Sequence, residues 1–331
     1  MSKPLCIAVL MGGPSLEHEV SLKSGEMVFR HLDRSKYEPV RVVIEKNGDW
    51  NIPAEEVKKF CDCAFVAMHG TYGEDGTVQG ILELHKIPYT GSSVLSSALG
   101  MNKFLSLRVF QDGGLLIPTS ILVHKGEWRV SHGEVMKKIK NLIEFPLVVK
   151  PNNQGSSFGV TIVKNEKKLK EALDEVFGFS KDILVEKFIE GREITCMVLD
   201  HGWGESAFPL LPTEIIHRGR TFFDYKTRYE KNGLHEVTPP QNISKSIMEK
   251  LRSTALTAHK LVGASGFSQT DMILDKNGDV YILEINTIPG LTEESLLPKA
   301  AVVSGIEFQK LLSIILEAAL HRHGKGVKGC L

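Results

Sequence analysis

The stretch "TDMILDKNGDVYILEINTIPG", Thr270 to Gly290, decides how this chain is read. "TDMILD" and "YILEIN" are rich in β-branched and aromatic residues and alternate with a period of two, so each reads as a strand. The Asn-Gly between them is a strong short-range hairpin signal. With Asn277-Gly278 as a two-residue turn, Asp271 falls opposite Glu284 and Gln269 opposite Asn286. Like charges placed opposite each other repel, so the carboxylate pair calls for a cation between the strands. Two carboxylates and an amide oxygen are hard ligands, of the kind that hold Mg²⁺ on substrate phosphates. A solvated hairpin face in a slipped register is the plainer alternative, and the hairpin alone does not choose between them.

The chain has 331 residues, enough for two or three domains. Its 40 basic and 40 acidic residues balance, which argues against nucleic acid or an anionic membrane as the main partner. No apolar run reaches the ~18 residues of a membrane span, and the N-terminal "MSKPLCIAVLMGG" lacks the pattern of a signal peptide. Five scattered cysteines fit a reducing compartment, and a cytoplasmic location is expected. Cys61 and Cys63 form a C-x-C without a second pair, so they read as packing residues rather than as a zinc site.

Residues 1–98 alternate strand and helix patterns: "LCIAVLMGG", "LKSGEMVFRHL", "YEPVRVVIE", "CAFVAMHG" and "GTVQGILELHKI". That is an N-terminal α/β domain with a parallel sheet, whose ligands bind at the carboxyl ends of the strands. A central α+β unit over 99–185 holds the helix "MNKFLSLRVFQDGG", the strand "FPLVVK", the loop "PNNQGSSFGV" and the charged helix "EKKLKEALDEVF". A C-terminal α+β unit over 186–322 carries the hairpin and a closing helix, "EFQKLLSIILEAALHR". Residues 218–240, with "FFDYKTRYEKNG", read as a long loop, which in a compact domain is often functional. Residues 323–331 read as a tail.

Several short segments invite both a chemical and a plain reading. "QGSSFGV" offers backbone N–H groups and the hydroxyls of Ser156 and Ser157 to an anion, although Gly-Ser turns are common and no Walker pattern exists. Lys150 ends the preceding strand and Lys103 opens the helix upstream; two lysines flanking one such loop favour phosphate. In "VEKFIEGRE", Glu186, Lys187 and Glu193 fit an ordinary half-exposed strand if the segment stands alone. Glu17 and Glu19 follow Ser15, a plausible N-cap, and acids in a first helical turn offset the macrodipole. The alternative for Glu17 is a carboxylate that receives a substrate ammonium. His69, at a strand end, is by default a structural histidine.

Taken in order, Lys103, "VVKPNNQGSSFGV", "VEKFIEGRE", "TDMILD" and "LEINTIPG" resemble an ATP-grasp ligase. With "GGPSLEHEVSL", "MHGTYGEDGTVQGILE" and "FFDYKTRY", the chain resembles the D-alanine–D-alanine ligase family from about residue 5 to 320. The resemblance implies an ATP-grasp fold and ATP held between the central and C-terminal units. Lys103, Lys150 and Arg228 would serve the nucleotide, with Ser156 and Ser157 closing over its phosphates. Glu186, Lys187, Phe188 and Ile189 would take the adenine and Glu193 the ribose. Asp271, Glu284 and Asn286 would bind two Mg²⁺, with Mn²⁺ as a substitute. Glu17 would meet the first D-alanine, linked through Ser156 to Tyr229, with His69 nearby. Ser295 and Leu296 would take the carboxylate of the second D-alanine, and Gly290 would offer an N–H to the oxyanion. The resemblance also implies a homodimer and a place in peptidoglycan precursor synthesis.

Two positions depart from the family pattern. Arg228 stands where lysine is usual, which keeps the charge but not the geometry. Gln269 stands where the family has an arginine that serves the first substrate's carboxylate and the oxyanion. Ligation of another amino-acid pair, or a nucleotide-binding homologue with reduced activity, are therefore the rival expectations.

Overall fold

The structure is a computed structural model that describes residues 3–155, 158–200, 207–217 and 234–324. Three sheets organise it, and the chain is mixed α/β as expected. The first sheet is parallel, with β1 (Leu5–Gly12) between β2 (Tyr37–Ile44) and β3 (Cys63–Val66). "CIAVLMG" is a continuous apolar run because both faces of β1 are covered: Ile7, Ala8, Val9 and Leu10 have no exposure. Helix α1 (His18–His31) packs on β1. The C-terminal helix, Phe308–Arg322, returns to the same core through Leu312, Ile315 and Leu316. Cys61 and Cys63 are buried in it.

The second sheet is antiparallel, in the order β4 (Ser120–His124), β7 (Asp182–Lys187), β5 (Leu147–Pro151), β6 (Thr161–Val163). Two helices, Lys125–Leu142 and Glu166–Val176, cover one side of it with Val135, Ile139, Leu169 and Leu173. The third sheet runs β11 (Leu234–Val237), β10 (Thr213–His217), β8 (Gly191–Leu199), β12 (Phe267–Asp275), β13 (Val280–Asn286), with β9 (Phe208–Pro209) beside β8. β11 corrects the sequence reading: part of the expected long loop is a strand paired to β10. Residues 218–233 of that loop, with Arg228 and Tyr229, lie outside the described residues.

The hairpin β12–β13 has the register expected at its functional end. Asp271 pairs with Glu284 and Gln269 with Asn286. The route to that register differs from the two-residue turn. Asp275 N–H bonds Asp279 O and Gly278 N–H bonds Asp275 O, which leaves Lys276, Asn277 and Gly278 as a three-residue loop. Gly278 takes φ +84°, a left-handed conformation that glycine adopts without a Cβ penalty. The longer loop shifts the pairing, so that Met272 faces Ile282. An irregularity between Asp271 and Met272 leaves Leu283 without a partner and restores the expected pairing beyond it.

Helix α5 (Lys103–Asp112) packs against β13. Its buried stripe is Lys103, Ser106, Leu107 and Phe110, spaced so that one helical face meets the sheet. The lysine heads an apolar face and is carried to the end of the hairpin by that packing.

Candidate active site

The third sheet faces the second across a slot, and the chain passes from one sheet to the other between β7 and β8. Lys150, on β5, lies 2.8 Å from Glu186 Oε2 on β7, and both residues are buried. The half-exposed-strand reading of Glu186 therefore fails: 2 % of it is exposed. Burial pushes the Glu186 carboxyl above its ordinary range, against the pull of Lys150. Its Oε1 has no hydrogen-bond partner and points to a need for a donor. Lys187, Phe188, Ile189 and Glu193 line the same slot, with Val148 and Ile162 on one wall and Ile273 and Leu283 on the other.

Lys103 joins the slot to the hairpin. Its Nζ lies 2.7 Å from Glu284 Oε2 and donates to Gln154 O at 2.8 Å. Asp271 Oδ1 accepts from Thr195 Oγ1 at 2.7 Å and from Gln269 Nε2 at 2.9 Å. Asn286 Oδ1 accepts from Ile288 N–H at 2.7 Å. Lys150 Nζ reaches the carbonyl of Leu283 at 3.4 Å, so the residue left unpaired by the bulge turns its oxygen into the site.

A wider cleft of about 680 Å³ continues from there. Glu17, His69 and Gly155 line it on one side, and Gln269, Gly290, Ser295 and Leu296 on the other. A Cβ on Gly155 would stand 3.0 Å from Glu17 Oε2, so the loop after β5 runs close over that carboxylate. Ser156 and Ser157, next in that loop, lie outside the described residues. Ser15 is not the helix cap that the sequence implied. Glu17 occupies the cap position, while Ser15 Oγ accepts from Glu17 N–H at 3.1 Å and donates to His69 O at 2.7 Å. Ser15 thus ties the end of β1 to the end of β3.

His69 is buried, with Nδ1 3.1 Å from Ile288 O and Nε2 2.7 Å from Ser24 Oγ. Glu74 Oε1 stands 3.5 Å from Nδ1. Burial lowers the imidazole's affinity for a proton, but Glu74 and Glu17 more than offset it, and the net shift is upward. Burial pushes the Glu74 carboxyl up to about 7. Ser295 precedes the helix Leu296–Val303 without capping it by its side chain; its Oγ takes Thr292 N–H at 3.0 Å instead.

Sequence reasoning missed Glu74, Thr195 and Asn152. Thr195 had a readable signal, since it shares the period-two face of β8 with Glu193. Asn152 is buried; its Oδ1 accepts from Phe104 N–H at 2.8 Å and its Nδ2 donates to Asn102 Oδ1 at 2.9 Å. It fastens the strand of Lys150 to the helix of Lys103. Glu74, inside "HGTYGED", had no local signal.

The donor set at the hairpin fits a hard divalent cation: two opposed carboxylates and an amide oxygen, with room in the cleft. Among the described residues no group of three or more His, Cys, Asp or Glu side chains could hold a metal by itself. Further ligands would have to be oxygens brought by a substrate.

Comparisons with known proteins agree with this architecture. Residues 109–317 match the family model described as "D-ala D-ala ligase C-terminus". Residues 6–60 and 51–92 match "D-ala D-ala ligase N-terminus". The D-alanine–D-alanine ligase of Geobacter sulfurreducens is 40% identical over 322 residues, 97% of this chain and 96% of that one. The D-alanine–D-alanine ligase structure from Coxiella burnetii is similar with a TM-score of 0.82 and 31% identity, covering 98% of this chain and 96% of that one. The Bacillus anthracis structure of D-alanine–D-alanine ligase complexed with ATP has a TM-score of 0.80 and 36% identity, covering 98% and 99%.

Proposed function

This chain belongs to the D-alanine–D-alanine ligase family, and from that premise we propose that it joins two D-alanines at the expense of ATP, releasing ADP and phosphate, for peptidoglycan precursor synthesis. One observation supports this most directly. Two buried lysines from separate elements meet the carboxylates of two others: Lys103 meets Glu284 and Lys150 meets Glu186. That is a polyanion site beside a cleft with room for two small amino acids.

The slot between the sheets suits the nucleotide. Glu186 Oε1, buried and unpartnered, is an acceptor for the 6-amino group of adenine, with Lys187, Phe188 and Ile189 along its edge and Glu193 for the ribose. Lys103 and Lys150 neutralise the phosphates. Ser156, Ser157 and Arg228 belong to the same proposal. Asp271, Glu284 and Asn286 would hold Mg²⁺, which supplies charge neutralisation to the phosphates when bound.

A carboxylate is a poor acylating agent. In the proposed reaction a carboxylate oxygen of the first D-alanine attacks the γ-phosphorus and ADP leaves. The amine of the second D-alanine then attacks the acyl carbon, and the tetrahedral intermediate expels phosphate. Glu17 receives the first ammonium, its backbone held by Ser15 Oγ, which accepts its N–H, and by Ser21 Oγ, which donates to its carbonyl at 3.0 Å, with Ser156 linking it to Tyr229 on the long loop. His69 is fixed by Ser24 and Ile288 O beneath the same substrate. Gly290 N–H and the second N–H of the Gln269 amide face the developing oxyanion, the role that preorganised donors play. Ser295 and Leu296, at a helix start, receive the second carboxylate. Acyl phosphates hydrolyse in water, so closure over the cleft serves the chemistry. A cytoplasmic homodimer is part of the same proposal; among the described residues no helix is long and apolar enough to cross a membrane.

The test is ADP and phosphate release with a panel of D- and L-amino acids, with the dipeptide identified by mass spectrometry. D-alanyl-D-alanine as the dominant product supports the reading. Turnover confined to another pair, or none with any pair despite nucleotide binding, refutes it and favours the reading in which Gln269 has changed the site.

A further inference from the structure

We propose that Lys103 and a divalent cation are alternative partners of Glu284, so that nucleotide opens this carboxylate to metal by drawing the lysine onto its phosphates. The inference rests on the assignment of Asp271, Glu284 and Asn286 to metal. Lys103 Nζ stands at hydrogen-bond distance from Glu284 Oε2, 2.7 Å. It is not a loose surface lysine: it heads the buried stripe of α5 against β13, and its second contact is Gln154 O. An ammonium held there neutralises one of two opposed carboxylates. The three groups together carry one negative charge, against two for the carboxylates alone.

A divalent cation must displace that ammonium or share its oxygen, and Mg²⁺ demands ligands at about 2.0–2.1 Å in near-octahedral order. The described residues hold no cluster of three acidic or imidazole ligands to force the exchange. A triphosphate supplies both missing parts. Its oxygens complete the metal's shell, and its charge offers Lys103 a stronger partner than one carboxylate. Lys103 thereby acts as a positioning residue that couples metal uptake to nucleotide and keeps the opposed carboxylates from repelling each other.

The experiment measures Mn²⁺ binding by electron paramagnetic resonance on the full chain, with and without β,γ-methylene-ATP. Wild type, Lys103→Gln, Glu284→Gln and the double variant are compared. Without nucleotide, Lys103→Gln binds Mn²⁺ at least about tenfold more tightly than wild type, as removal of an adjacent positive charge requires. The gain disappears in the double variant. Equal or weaker binding by Lys103→Gln overturns the proposal. If Lys103→Gln does not fold, as judged by circular dichroism, the wild-type protein decides. The analogue then raises its Glu284-dependent Mn²⁺ affinity at least about tenfold, and equal affinity with and without the analogue overturns the proposal. If Glu284→Gln takes up Mn²⁺ with the analogue as well as wild type does, the metal assignment itself falls, and this proposal with it.

Discussion

Replacing Lys150 by methionine tests the buried ion pair on which the nucleotide slot is built. Lys150 and Glu186 are 5 % and 2 % exposed and 2.8 Å apart. At an effective dielectric of about 20, such a contact carries roughly 6 kcal/mol of attraction. Much of that only offsets the desolvation of the two charges. The variant removes the attraction and leaves the desolvation of Glu186 in place. Its Oε1 has no hydrogen-bond partner either, so no neighbour takes over. Lys150→Met should therefore destabilise by about 3–5 kcal/mol, the range for breaking a buried pair from one side. The double variant Lys150→Met with Glu186→Gln should recover a large part of this, because no charge remains stranded. The loss should also depend on pH. Burial already raises the Glu186 pKa in the folded state, and without the lysine it rises further. A carboxyl with a raised folded pKa favours the folded state when protonated, so this contribution is lost as pH rises above the unfolded value. The deficit of the variant should be smaller near pH 5 than near pH 8. Urea denaturation of the three proteins at both pH values is the assay. A loss below about 1 kcal/mol, or a double variant no more stable than the single one, would refute the reasoning.

Gln269 lines an open cleft beside Asp271, which leaves space and a counter-charge for a longer cation; Gln269→Arg should raise kcat with D-alanine roughly ten- to a hundredfold with little change in ATP affinity, and a fall in steady-state turnover would show a site re-tuned around the amide. A Cβ on Gly290 would come 2.5 Å from Ser295 Oγ, so Gly290→Ala should displace the second-substrate end of the cleft, raising the KM for that D-alanine while nucleotide binding, followed by calorimetry, is unchanged. Glu74, raised to about 7 by burial, favours the folded state when protonated and loses that contribution as pH rises from the unfolded carboxyl range through 7; Glu74→Gln should flatten the dependence of chemical stability on pH between about 5 and 8, and an unaltered slope counts against the assignment.

The amino-acid sequence by itself determined what is local. Period-two alternation was enough to put Gln269 and Asp271 on one face of their strand and Glu284 and Asn286 on one face of theirs, because side-chain direction along a strand follows from chain geometry alone. The strand β1 was legible from its unbroken apolar run, and α5 from its glycine-closed end. The turn length was not legible. A three-residue loop and a compensating bulge at Leu283 give the same functional register as a two-residue turn, and local propensity does not distinguish the two. Only the tertiary structure decided which groups meet across the slot. His69 bonds a carbonyl 219 residues away and Lys150 one 133 residues away. Glu186 looked like an exposed strand residue until the face of the second sheet was closed by the third. Those contacts arise where apolar faces pair: Leu107 and Phe110 seat α5 on β13, and the charge of Lys103 is carried in with them. A lysine at the head of an apolar stripe is visible in the chain. The carboxylate it will meet is not, because that depends on which buried faces find each other.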